Sequence, residues 1–75
     1  MFSTEYQRLR DVLIAARRRA GISQRQLAER IGKSHSHVCM IEKGQRRIDV
    51  LEFDRIARAL DADPLALFGA AIRRP

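Results

Sequence analysis

The most reactive side chains of this 75-residue chain crowd into one short run. His35, His37 and Cys39 alternate there, with Ser34, Ser36 and Met40 between and beside them. Imidazole and thiolate are zinc ligands, so a metal site is the first chemistry to weigh. On a helix, residues four apart share a face and a residue two away turns aside. His35 and Cys39 therefore pair, and His37 diverges. Two ligands do not close a zinc site, and no second cluster supplies the remainder. No metal and no cofactor are expected. Cys39 lies near arginines, which favour a thiolate, but a small side chain at a helix edge is the simpler role. An enzyme is not expected either. There is no nucleophile–base pairing and no glycine-rich phosphate loop, and the carboxylates of residues 49–63 are dispersed over cap and exposed helix positions. What remains is recognition, with imidazoles, hydroxyls and a thioether on one short surface.

The charge says what kind of surface would meet them. The net charge is +6. Residues 1–16 are neutral, 17–47 carry +7, 48–63 carry −3 and 64–75 add +2. The positive charge is concentrated around the His35–Cys39 run, which is the footprint of a polyanionic partner. A chain this short buries only about 60% of its unfolded surface. One domain spanning 1–75 is expected, without a deep cleft and without a small-molecule ligand. The single Cys39 forms no internal disulfide. No apolar run approaches the ~18 residues of a membrane span, and the start of the chain lacks a signal-peptide apolar core. A cytoplasmic protein with no membrane association is expected.

The elements that position these residues are helices. In residues 23–44, Ser23 with Gln26 predicts a capping box. Leu27, Ala28 and Ile31 form one apolar stripe. Gly32 can take the left-handed conformation that ends a helix, and Ser34 offers a second N-cap. Val38 and Ile41 give the second helix one buried edge, and Gly44 closes it. Helix, tight turn, helix is the helix-turn-helix signature. Before it, Thr4 or Ser3 can cap a first helix, Thr4 with Gln7 as a capping box. That helix carries Tyr6, Leu9, Leu13 and Ala16 on one face and ends near Arg19. After the basic loop, Asp49 with Glu52 predicts a third capping box. Leu51, Phe53, Ile56, Ala59 and Leu60 are expected on the inward side of this fourth helix. Asp63 and Pro64 start a fifth. Leu65, Phe68 and Ile72 share one of its faces, Leu67 and Ala71 another. One stripe closes the core; the other is left as an interface. Residues 73–75 are expected to fray. The expected fold class is all-α, a compact five-helix bundle.

These residues together resemble the Cro and phage-repressor family of helix-turn-helix proteins, the XRE type. The likeness rests on Ser23, Gln24, Leu27, Ala28, Gly32, Ser34, Val38, Ile41, Glu42 and Gly44. Arg17, six residues before Ser23, and Ile56, Ala57, Ala59 and Leu60 extend it to residues 9–68. The resemblance implies a lambda-repressor-like fold, a nucleoid-associated DNA-binding regulator, and an ion pair between Arg17 and Glu42. It places base contacts at Ser34, His35, Ser36 and Met40, and a phosphate contact at Gln24.

Rotation by 100° per residue from Val38 and Ile41 gives a matching result. Ser36, Met40 and Lys43 point away from the core, and Ser34 and His35 sit at the helix start, the part that enters the major groove. His37 is a second-rank base contact. Histidine offers one donor or acceptor, serine suits almost any base and methionine reads shape, so no bidentate arginine–guanine code is present. Arg25, Lys33, Lys43, Arg46 and Arg47 join Gln24 as phosphate contacts. One domain buries too little DNA for tight specific binding. A homodimer on double-stranded DNA is therefore expected, joined through Leu65, Leu67, Phe68, Ala71 and Ile72 of the fifth helix. Phe2 and Tyr6 are the second choice. Repression of a palindromic operator is the expected role. The alternative is an antitoxin that binds a toxin partner and autoregulates its operon, a case weakened by the short stretch after the fifth helix.

Overall fold

Each helix starts where a short polar side chain catches a first-turn amide. In the computed structural model, which describes residues 3–73, these starts open α1 (Thr4–Arg19), α2 (Gln24–Ile31), α3 (His35–Glu42), α4 (Val50–Ala59) and α5 (Pro64–Ile72). No strand occurs among the described residues. Ser23 and Gln26 form the reciprocal capping box of α2, and Ser34 accepts from the His37 amide at 3.1 Å. Asp63 caps α5 with Pro64 in its first turn.

Two capping boxes differ from expectation. Of the two candidate caps of α1 it is Ser3 that accepts from the Tyr6 amide, and Thr4, already inside the helix, forms no box with Gln7. Asp49 accepts from the Glu52 amide at 2.7 Å, but the Glu52 carboxylate is bonded to His37 and the box is left half-formed. Phe2, and Arg74 and Pro75 of the expected frayed end, lie outside the described residues.

The turn between α2 and α3 depends on Gly32. Its φ is +70°, and the amides of Gly32 and Lys33 return to the carbonyls of Glu29 and Ala28. This closure satisfies the last carbonyls of α2 and reverses the chain within three residues. The reversal after α4 uses no glycine. Asp61 takes φ +57° there, one of the few non-glycine types that tolerate it.

The core gathers Leu13 and Ala16 of α1, Leu27 and Ala28 of α2, Val38 and Ile41 of α3, and Phe53, Ile56 and Leu60 of α4, with Ile22 and Ile48 from the connections. Leu51 is not among them. It is 66% exposed, because the inward stripe of α4 runs Phe53, Ile56, Ala57, Leu60, and Leu51 lies about 200° from Phe53. On α5 the choice between stripes is made by packing against α1. Ala71 is buried and Leu67 rests on the core. Leu65, Phe68 and Ile72 remain exposed. Leu67 and Ala71 are thus core residues, which removes them from the expected interface.

Candidate nucleic-acid interface

Helix α3 is two turns long and is seated by two buried side chains, Val38 and Ile41. His35, Ser36, Met40 and Lys43 are exposed. Ser34 is also exposed; its oxygen accepts the capping bond, which leaves its hydroxyl hydrogen available to donate. His37 departs from the set expected to touch bases. Its Nε2 meets Glu52 Oε2 of α4 at 2.5 Å, with only 10% of its side chain exposed. The imidazole faces the body of the protein, which removes it as a base contact.

The end of α3 is held by a carboxylate with several partners. Arg17 donates from Nε to Glu42 Oε2 at 2.7 Å and from Nη2 to Oε1 at 3.0 Å. It also donates to the Ile22 carbonyl at 2.8 Å. The ion pair therefore joins α1, the start of α2 and α3. Gln24 completes the carboxylate shell, donating from Nε2 to Glu42 Oε1 at 2.8 Å. That bond fixes the amide orientation, so Gln24 Oε1 faces His35 Nε2 at 3.3 Å and the Cys39 thiol at 3.5 Å. His35 must then donate from Nε2 to that oxygen. Because its amide is engaged, Gln24 offers an anion its backbone N–H, which with that of Arg25 stands at the positive end of α2 outside the helical ladder.

Two residues of α1 shape the loop after α3, a role that no local spacing signals. Tyr6 Oη accepts from the Ile48 amide at 2.8 Å and donates to the Arg46 carbonyl at 3.3 Å. Tyr6 is therefore a loop anchor. Arg10 donates to the Glu42 carbonyl at 3.2 Å, and its guanidinium covers Gly44. A Cβ on Gly44 would come within 2.8 Å of Arg10 Cζ, at a φ of +80° that side chains rarely adopt. The loop is thereby pressed against α1, and Lys43, Arg46 and Arg47 are held beside α3.

Arg25, Lys33, Lys43, Arg46 and Arg47 are all exposed around the two motif helices. If five or six phosphates are neutralised, log K falls with log salt at a slope of about −5. Replacing Arg46 and Arg47 together with alanine is expected to make that slope shallower by about 2. Fluorescence anisotropy on one duplex across a salt series measures it, and an unchanged slope would remove both residues from the phosphate set. Among the described residues, no group of three or more His, Cys, Asp or Glu side chains gathers at metal-holding geometry.

A bare, short helix across a glycine turn from its partner, ringed by cations and pinned from behind, defines a helix-turn-helix DNA-binding protein. The helix-turn-helix family model matches residues 13–67, and the chain belongs to that family, in its XRE-type form. It is a DNA-binding transcription regulator with the all-α fold expected of the class. Among solved structures it is similar to an XRE-family like protein from Pseudomonas syringae pv. tomato, with 43% identity, a TM-score of 0.86, and coverage of 89% of this chain and 82% of that one. It is also similar to the restriction-modification controller protein C.AhdI from Aeromonas hydrophila, with 32% identity, a TM-score of 0.79, and coverage of 88% and 100%. The clp gene regulator ClgR from C. glutamicum shares the fold at 21% identity, with a TM-score of 0.83 and coverage of 93% and 91%. No curated protein sequence gives a significant match. Among the described residues no helix is long and apolar enough to cross a membrane.

Proposed function

We propose that this chain is a repressor that binds a palindromic operator as a homodimer, with α3 in the major groove and the surrounding cations on phosphate. The observation that carries this reading is the seating of α3. Only Val38 and Ile41 hold it to the core, and Ser36, Met40 and Lys43 stand bare on the far side. His35, Ser36 and Met40 read bases, with Ser34 divided between cap and contact. Gln24, Arg25, Lys33, Lys43, Arg46 and Arg47 position the domain on the backbone.

A second copy completes the site, because a single module of this size covers roughly 600–1,000 Å² and binds weakly. Its seat is the open apolar face formed by Leu65, Phe68 and Ile72 of α5 with Val50 and Leu51 of α4. Part of that face is a groove of about 410 Å³ running to Leu9 and Ile48. Two-fold pairing would set the recognition helices about 34 Å apart, one turn of duplex.

Selection of bound sites from random duplexes tests the whole proposal. The expected product is a two-fold symmetric sequence with half-sites one helical turn apart. On that duplex, Ser36→Ala combined with Met40→Ala should lose about 2–4 kcal/mol of preference over a scrambled duplex. Binding to the scrambled duplex itself should hold. Equal losses on both duplexes would strike Ser36 and Met40 from the base-reading set.

A further inference from the structure

We infer that the His37–Glu52 bond is the strut that fixes how α3 is rolled in the groove, which makes His37 and Glu52 positioning residues for base recognition. This rests on the proposed placement of α3 on DNA. Val38 and Ile41 are the whole buried edge of α3. At 100° per residue, His37 and Glu42 stand about 70° to either side of that edge, and Ser36, Met40 and Lys43 lie opposite it. A two-turn helix seated on two side chains is free to roll unless its flanks are tied. On one flank, Glu42 is held by Arg17 of α1 and Gln24 of α2. On the other, His37 is held by Glu52 of α4 at 2.5 Å, with the two side chains only 10% and 13% exposed.

The two ties differ in what they can do. Glu42 is the last residue of α3 and fixes the end that leaves the groove. His37 sits in the first turn, next to Ser36, and fixes the end that enters. The body of α3 leans more on α2 and α1 than on α4, so the histidine bridge braces the flank that packing leaves less supported. A roll of about 20° about the axis of a helix 10–12 Å across moves side-chain tips by about 2 Å. Recognition geometry tolerates about 0.5 Å. Losing the strut would leave phosphate contacts in reach and blur base contacts.

The experiment compares the full chain on its selected duplex and on a scrambled duplex of equal length, at one salt concentration. His37→Ala should reduce the ratio of the two affinities about tenfold or more while scrambled-duplex binding stays within about twofold. His37→Gln, whose amide can donate to Glu52, should recover most of that ratio. Glu52→Ala should reproduce the loss from α4, and the double variant should be no worse than either single one. Glu52→Ala and His37→Gln decide the matter if His37→Ala fails to fold. An unchanged ratio in Glu52→Ala, or equal losses in His37→Ala and His37→Gln, would overturn the strut. A wild-type chain that selects no duplex at all would overturn the functional proposal, and the strut with it.

Discussion

Replacing Glu42 with alanine is expected to lower folding stability by about 3–5 kcal/mol. The reason is the group it would strand. Arg17 is 11% exposed in its side chain and directs two donors at the carboxylate. Gln24 directs a third. Without the acceptor, a guanidinium remains in a poorly hydrated site with only the Ile22 carbonyl as a partner. A 75-residue domain at the usual 0.05–0.15 kcal/mol per residue has about 4–11 kcal/mol in total. The substitution would therefore remove a large share of it, and the lower estimates would leave much of the population unfolded.

The opposite consequence follows for the pair as a unit. Arg17→Met together with Glu42→Leu removes both charges, and buried ion pairs are often replaced by apolar side chains at little cost. The double variant should be clearly more stable than the sum of the single losses. Urea denaturation of the parent chain, Glu42→Ala, the single variants Arg17→Met and Glu42→Leu, and the double variant gives both numbers. A loss under about 1 kcal/mol for Glu42→Ala would show that the pair behaves as an exposed surface bridge.

How much of this was legible in the sequence follows from how far each interaction reaches along the chain. The caps at Ser23, Ser34, Asp49 and Asp63 and the turn at Gly32 are fixed within three or four residues. Local spacing is enough to find them. The Arg17–Glu42 pair spans 25 residues and was visible only through resemblance to the XRE type. Tyr6 and Arg10 act across 32 to 42 residues, where neither spacing nor composition gives a signal. Tyr6 in particular matches a helical core stripe, and its hydroxyl gives no hint of the loop it holds.

The inward face of α4 is hard to read from sequence for a different reason. Val50, Leu51 and Phe53 lie within one turn, so several apolar phases compete and only the packing against α2, α5 and α1 selects one. The histidines of α3 illustrate the same limit on the site itself. His35 and His37 are chemically identical and two residues apart. One stands exposed beside Gln24 and the other is drawn to Glu52, a residue placed there by the loop that Tyr6 and Arg10 anchor.

The two stripes of α5 separate the effect of a charge on assembly from its effect on folding. Leu65→Glu is expected to leave the fold intact, since Leu65 is 80% exposed, yet to abolish the dimer by placing a charge in the shared apolar face. Operator affinity should then fall by about a hundredfold or more, because the second half-site is no longer delivered by the linked copy. Leu67→Glu, on the other stripe, should fail earlier. Leu67 rests on the core, and a carboxylate there must be desolvated or the helix must lift, so the chain should lose stability whether or not it dimerises. Phe68 is less informative, because its ring meets Phe53 edge to face with centroids 6.2 Å apart and a substitution would disturb both surfaces. Sedimentation at micromolar concentration, with thermal unfolding as a control, separates these outcomes. A folded Leu65→Glu protein that still sediments as a dimer and binds its operator at full affinity would move the two-fold contact off the α4–α5 face.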